Sequence, residues 1–434
     1  MTDKSCRDRL EQALVRIADP SGEGARACLT VYAQQVRAAA DAADARAARN
    51  EPLGPLDGTI VSIKDLFDVA GEATRAGSKI LAEEAPPAAA DAPVVRRLRS
   101  AGAVIVAKTN MTEFAFSGIG ANPHFGTPGN PFDRACVPGG SSSGAGVAAA
   151  DGLCDIAIGT DTGGSVRIPA ALCGLVGFKP SRQRIPTEGA FPLSHTLDSI
   201  GPLAGTVATC AKADAVMAGE TCVPIAPVAL AGLAFGIAEG LPLDRLDATV
   251  TAAFAAGVAR LEQAGVRVSR QTLPLFDDMN AVNAKGGISP PEACAIHRDR
   301  IRRRAADFDP NVLARIERGC AVTPDDYAWM VRERARLVAA MDARLAALDA
   351  LIMPTTSIVA PTIAEVEDRK VFSARNAALL RNTSVANFFD LCAISLPLPV
   401  PAGKMPVGLM LVARNGEDRR LFEIAAAVEA ALLR

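Results

Sequence analysis

Apolar positions along the chain fall into two periods. Residues 7–19 and 26–48 carry the spacing of three to four that marks amphipathic helices, rich in Ala and Arg and split by the turn Pro20-Ser21-Gly22. Short unbroken apolar runs come next. Thr59–Ile63 leads directly into Lys64-Asp65, Ala103–Ala107 follows a helix predicted at about 92–101 that ends at Gly102, and Asp155–Gly159 leads into Thr160-Asp161-Thr162-Gly163-Gly164-Ser165. Runs of this length, bounded by Gly and polar residues, predict buried strands. Further strands are predicted at 232–238, 266–273, 350–353, 393–398 and 408–412, and helices near 247–264, 325–347, 371–389 and 417–432. Strands alternating with helices at these intervals specify an α/β fold with parallel or mixed pairing. The stretch 122–152 reads as a Gly- and Pro-rich loop, and 275–345, helical, polar and poor in strands, reads as a cap inserted over the sheet. No internal repeat interrupts this order.

Composition narrows the class. The chain has 434 residues, 49% hydrophobic and 22% charged, enough to bury a large core without a metal or disulfide staple. Lys and Arg number 46 against 48 Asp and Glu, a net charge of −2 with no basic stripe, so nucleic acid is not an expected partner. The densest basic run, Arg298 to Arg304, alternates with Asp299 and reads as a solvated helix face. Residues 221–238 lack charge, but Pro224, Pro227, Gly232 and Gly236 break the run, so it reads as a linker entering a buried strand and no membrane partner is expected. Ten cysteines are scattered without a Cys-x-x-Cys pair, and only His124, His195 and His297 accompany them, so no metal site and no cofactor are expected. Cys154, Cys173 and Cys392 lie in apolar runs and read as reduced buried thiols. The start Met1-Thr2-Asp3-Lys4 is not apolar, and the expected location is the cytoplasm.

Two serine–glycine segments carry the candidate chemistry: Gly139-Gly140-Ser141-Ser142-Ser143-Gly144 and Asp161-Thr162-Gly163-Gly164-Ser165. Glycines beside a serine let backbone N–H groups approach a ligand closely, and consecutive N–H groups make a cradle for an anion or a developing oxyanion. Tight structural turns are the competing reading. A phosphate loop is disfavoured because Gly-x-x-x-x-Gly-Lys-[Ser/Thr] is absent, and so is the Gly-x-Ser-x-Gly nucleophile elbow following a strand. None of the histidines has the setting of a triad base. Lys64, at the end of a buried strand, is the alternative, since desolvation favours the neutral amine; a salt bridge to Asp65 or Asp68 is its structural alternative. Asp161 and Arg167 could form a buried pair bracing the loop.

Taken in order, Val61-Ser62-Ile63-Lys64-Asp65, the two serine–glycine segments with Val166-Arg167-Ile168-Pro169-Ala170, Gly177-Phe178-Lys179-Pro180-Ser181, Pro202-Leu203-Ala204 and Pro406–Val412 resemble the amidase signature family over about residues 50–430. The resemblance implies a single domain with a central, mixed, twisted β-sheet covered by helices on both faces: N-terminal helices at 1–50, a signature core at 51–220, and the helical region 275–345 over the active site. It implies a Ser–cisSer–Lys triad of Ser165, Ser141 and Lys64, with Ser165 as nucleophile. The N–H groups of Thr162, Gly163, Gly164 and Ser165 would form the oxyanion hole, with Ser142, Asp161 and Arg167 in support. The implied activity is hydrolysis of small to medium amides through an acyl-enzyme. Carbamate or urea-like substrates and a role as the glutaminase-type subunit of an amidotransferase are the alternatives. Phe114, Phe116, His124, Phe125, Phe191, His195 and Trp329 are candidate pocket residues, with core packing the competing reading for the aromatics; the oligomeric state is open, with a homodimer as the guess.

Overall fold

A computed structural model describes residues 5–433. Among them, eleven strands join in one sheet: β1 (Cys28–Val31), β2 (Ile60–Lys64), β3 (Val104–Thr109), β4 (Ile156–Thr160), β5 (Val176–Lys179), β6 (Ile200–Ala204), β7 (Ala234–Ala238), β8 (Arg267–Gln271), β9 (Ala350–Pro354), β10 (Cys392–Leu398) and β11 (Val407–Ala413). Their order is β1-β3-β2-β4-β6-β5-β10-β11-β9-β7-β8. The pairs β2–β3, β2–β4, β7–β8 and β7–β9 are parallel and the others antiparallel, so the sheet is mixed.

Side chains alternate across a strand, and in the central strands of this sheet both sets are buried, whereas the edge strands β1 and β8 are partly exposed. In β4, Ile156 and Ile158 enter one core cluster and Ala157 enters another; in β11, Leu409 and Leu411 point one way and Met410 and Val412 the other. Helices Cys6–Ala18, Ala33–Arg49 and Ser143–Ala150 supply Leu10, Leu14, Val36 and Val147 to the cluster holding Ala157. Helices Pro93–Ser100, Val207–Ala218, Ala248–Gln263 and Asp418–Leu432 cover the opposite face through Leu98, Val207, Phe254, Leu421 and Val428. Covered on both faces, a strand can be buried at every residue, as β2, β3 and β4 are.

The sequence reading and the structure part company in three places. The helix expected over 26–48 is divided into Gly24–Ala27, β1 and Ala33–Arg49, because the stretch Cys28-Leu29-Thr30-Val31, ending in two β-branched residues, pairs antiparallel with β3. Strands β5 and β6 carry Gly177, Gly201 and Pro202, residues that read as breakers but lie within the sheet. A disulfide joins Cys294 to Cys320 and ties helix Ser289–Arg304 to helix Pro310–Cys320, while Cys154, Cys173 and Cys392 are free and buried as expected. Region 275–345 is helical, and its last helix, Pro324–Leu345, lays Met330, Leu337 and Met341 on the sheet face at β9 and β11. No helix among the described residues is long and apolar enough to cross a membrane.

Candidate active site

The parallel strands β2 and β4 end side by side, and each carries a polar residue past its last apolar one. Lys64 closes β2 and Thr160 closes β4. Lys64 is fully buried, and its Nζ lies 2.8 Å from Ser141 Oγ and 2.9 Å from Thr160 Oγ1. No carboxylate among the described residues forms a salt bridge with it. Asp65, the alternative partner, instead faces Arg75 (3.2 Å) and Lys108 (3.6 Å). Burial pushes the Lys64 ammonium down to about 7, against the opposing pull of Asp198 and Asp161.

Ser141 is presented by the loop before helix Ser143–Ala150, and its peptide bond to Gly140 is cis. Its carbonyl accepts from Thr112 N–H (3.0 Å), while Ser142 N–H donates to the Ser165 carbonyl (3.3 Å) and so ties the two serine–glycine segments together. Ser165 opens into a cavity of about 180 Å³, and its hydroxyl makes no hydrogen bond with protein atoms among the described residues.

The loop from Asp161 to Ser165 is shaped by Asp161. Its Oδ1 accepts Gly164 N–H (2.8 Å), and its Oδ2 accepts Val166 N–H (3.2 Å). Arg167 grips the same carboxylate in a fork, Nη2–Oδ1 2.9 Å and Nε–Oδ2 3.0 Å, with both side chains fully buried. Burial alone would raise the Asp161 carboxyl, but the charge and hydrogen bonds of Arg167, with Asn387, hold it at about 2. Asn387 Nδ2 donates to Asp161 Oδ1 at 2.9 Å, and Arg167 donates to the Thr383 carbonyl at 2.9 Å. Gly164 has φ +134°, and a Cβ there would lie 2.1 Å from Thr383 Oγ1, so only glycine fits. Thr162 is fixed through its Oγ1, which donates to Asp198 (2.5 Å).

This wiring sorts the four N–H groups named for an oxyanion hole. Gly164 N–H is spent on Asp161, a correction to the expectation. Those of Thr162, Gly163 and Ser165 have no acceptor among the described residues, and all three residues line the cavity. Ser142 supports through its backbone, and its hydroxyl reaches the Thr160 carbonyl at the long distance of 3.5 Å.

Of the proposed pocket residues, Phe116 lines the cavity. Phe114 and Ala115, both in the left-handed region (φ 51° and 59°), turn the chain to bring it there. The other candidates lie elsewhere. His124 Nε2 sits 3.2 Å from Glu113 Oε1. Phe191 packs with Phe114 and His297 and faces a separate surface groove. His195 and Trp329 are on the surface, and Phe125 is partly exposed. The sequence reading missed Thr160, Asp198, Thr383, Asn387 and Arg315. Thr160 stands inside the quoted motif, beside the strand end; the others come from segments with no local mark of their role.

The sequence profile of the family described as Amidase matches residues 9–422. The chain is 37% identical to 2-amino-5-chloromuconic acid deaminase of Comamonas testosteroni, over 91% of this chain and 86% of the relative. It is 36% identical to 1-carboxybiuret hydrolase subunit AtzE of Pseudomonas sp. (strain ADP), over 76% and 72%. A crystal structure described as an amidase superposes with a TM-score of 0.88 at 33% identity, covering 99% of this chain and 96% of the other. With the strand-end lysine, the two serine–glycine segments and the mixed sheet in place, the chain belongs to the amidase family, hydrolases of carbon–nitrogen bonds.

Proposed function

We propose that the chain hydrolyses small to medium carboxamides through an acyl-enzyme on Ser165. The observation that carries this reading is the Lys64 Nζ–Ser141 Oγ contact of 2.8 Å, made by an amine whose pKa burial lowers to about 7, so that the neutral form is well populated at pH 7 and dominant above it. In the first step Ser165 Oγ attacks the substrate carbonyl carbon, its proton passes to Ser141 Oγ, and the Ser141 proton passes to Lys64 Nζ. The carbonyl oxygen becomes an oxyanion held by the N–H groups of Thr162, Gly163 and Ser165. Collapse of the adduct breaks the C–N bond, and the relay runs backward to place a proton on the leaving nitrogen. Water then attacks the Ser165 ester with the same relay as base, giving the carboxylic acid and free enzyme. Asp161 and Arg167 touch no reacting atom in this scheme; they hold the loop.

A second reading, a carbamate or urea-type substrate, uses the same steps, and the 36% identity to a relative named as a carboxybiuret hydrolase subunit favours keeping it. The test is release of ammonia or amine from amides, anilides, carbamates and ureas by the isolated chain and by Ser165→Ala. Release that vanishes in the variant, with a transient mass increase on Ser165 equal to the acyl group, supports the reading. Release by the isolated chain with no partner added separates a self-sufficient hydrolase from an amidotransferase subunit. Cytoplasmic residence fits the eight free thiols, seven of them buried, whereas the Cys294–Cys320 bridge would form in oxidising surroundings.

A further inference from the structure

The cavity before Ser165 contains one charged side chain, and that charge has no partner. Arg315, on helix Pro310–Cys320, lines the same cavity as Ser165, Thr162 and Gly163, and no Asp or Glu lines it with them. Its guanidinium forms neither hydrogen bond nor ion pair among the described residues, and its Nε is fully enclosed with nothing to donate to. The buried arginines Arg167 and Arg334 are matched to Asp161 and Asp390, whereas no carboxylate pairs with Arg315 among the described residues. Arg315 has only the ring of Phe116, 4.5 Å from its central carbon. Enclosure pushes its pKa down to about 10, the nearby charge of Arg318 adds to this, and no carboxylate opposes it.

An uncompensated cation in a confined site is destabilising, and the missing counter-charge can come from a ligand. With Phe116 against the guanidinium, the unpaired N–H groups lie in the guanidinium plane, and that fork matches the two oxygens of a carboxylate. We propose that Arg315 is the substrate-carboxylate site of this enzyme, and that the substrate is a small molecule carrying a carboxylate at one end and the scissile C–N bond at the other. The cavity volume of about 180 Å³ limits it to a short chain between the two. This proposal rests on the hydrolase reading for the identity of the scissile bond, but the anion site itself does not depend on turnover.

The probes are malonamate, succinamate and glutaramate, each paired with the neutral amide in which an isopropyl group replaces the carboxylate. For the best-spaced member, kcat/KM of the unmodified enzyme is expected to favour the anion by about 100-fold. In Arg315→Met the ratio falls to within a factor of a few of one, and in Arg315→Lys it takes an intermediate value. Because the ratio is internal to each preparation, a folding defect lowers both rates and leaves it unmoved. Calorimetric binding of the same pairs to Ser165→Ala and to Ser165→Ala/Arg315→Met reads the anion site without turnover. Anion-selective binding lost with Arg315 supports the proposal even if no probe is hydrolysed, an outcome that would count against the hydrolase reading alone. Ser165-dependent hydrolysis with no preference for the anions, a preference that survives Arg315→Met, or no binding of any anion to Ser165→Ala overturns the proposal.

Discussion

An ammonium sealed at the end of β2 has no water to solvate its charge, and the two hydroxyls around Lys64 solvate it poorly in place of water. Asp161 is too committed to Arg167 to act as a counter-ion, and Asp198 is engaged by Thr162 and by the N–H groups of Leu193 and Ser194. The neutral amine is therefore the resting form above the depressed pKa of about 7. Protonation of Lys64 removes the proposed base, so kcat/KM should rise about tenfold per pH unit below 7 and level off above it. The expected profile has a single inflection near 7 for a substrate that does not titrate there. Lys64→Met and Ser141→Ala should each lower kcat/KM by about 10²–10⁴-fold and abolish that inflection. A profile flat from pH 5 to 9, or a Lys64→Met enzyme with full activity, would remove lysine from the mechanism.

At the scale of elements, the loop from Asp161 to Ser165 is held in place by a helix from far along the sequence that packs into it. Helix Arg369–Phe388 places Thr383 Oγ1 on the Gly163 carbonyl (2.6 Å) and Asn387 on Asp161, in the space a side chain at Gly164 would need. Gly164→Ala should therefore displace the loop or the helix, costing about 3 kcal/mol in stability and at least about 100-fold in activity. Urea denaturation and the burst of product on Ser165 measure the two effects separately, and a Gly164→Ala enzyme with unchanged burst amplitude would show that the loop tolerates the shift. The same arrangement explains what the sequence could reveal. β2, β3 and β4 are legible because each opens on a short, mostly apolar run, and the chemistry at their ends is legible because it abuts those runs. β1 is hidden by the Ala- and Arg-rich pattern on either side, and β5 and β6 by Gly and Pro that serve close packing. Thr383, Asn387 and Arg315 lie on helices whose periodicity reports only which face is buried, so their approach to a loop some 150 to 220 residues away leaves no local trace.

For the molecule as a whole, the three residues of the proposed relay lie within 64–165, yet the site does not belong to that stretch. β5 takes β10 as its neighbour, with Phe178 opposite Ile394, and β6 reaches the distal half of the sheet only through β5. Arg167 needs the Thr383 carbonyl and Asn387, and the cavity walls include Ile288, Ser289, Arg315 and Phe388. Residues 1–220 should consequently fail to form the site alone, although they contain Lys64, Ser141 and Ser165. Separation there leaves β5 with an unpaired edge and Arg167 without three of its acceptors, the Thr383 carbonyl, Asn387 Oδ1 and Met410 Sδ, and a bare central edge invites aggregation. The segment 221–230 lacks regular secondary structure, so a break at that point severs no helix or strand. Co-expression of 1–220 with 221–434 should restore labelling of Ser165 by a fluorophosphonate, while 1–220 alone should remain unlabelled. Labelling of the isolated fragment at the rate of the full chain would mean that the relay is set by β2, β4 and the serine–glycine loops alone, with the later helices serving only the substrate.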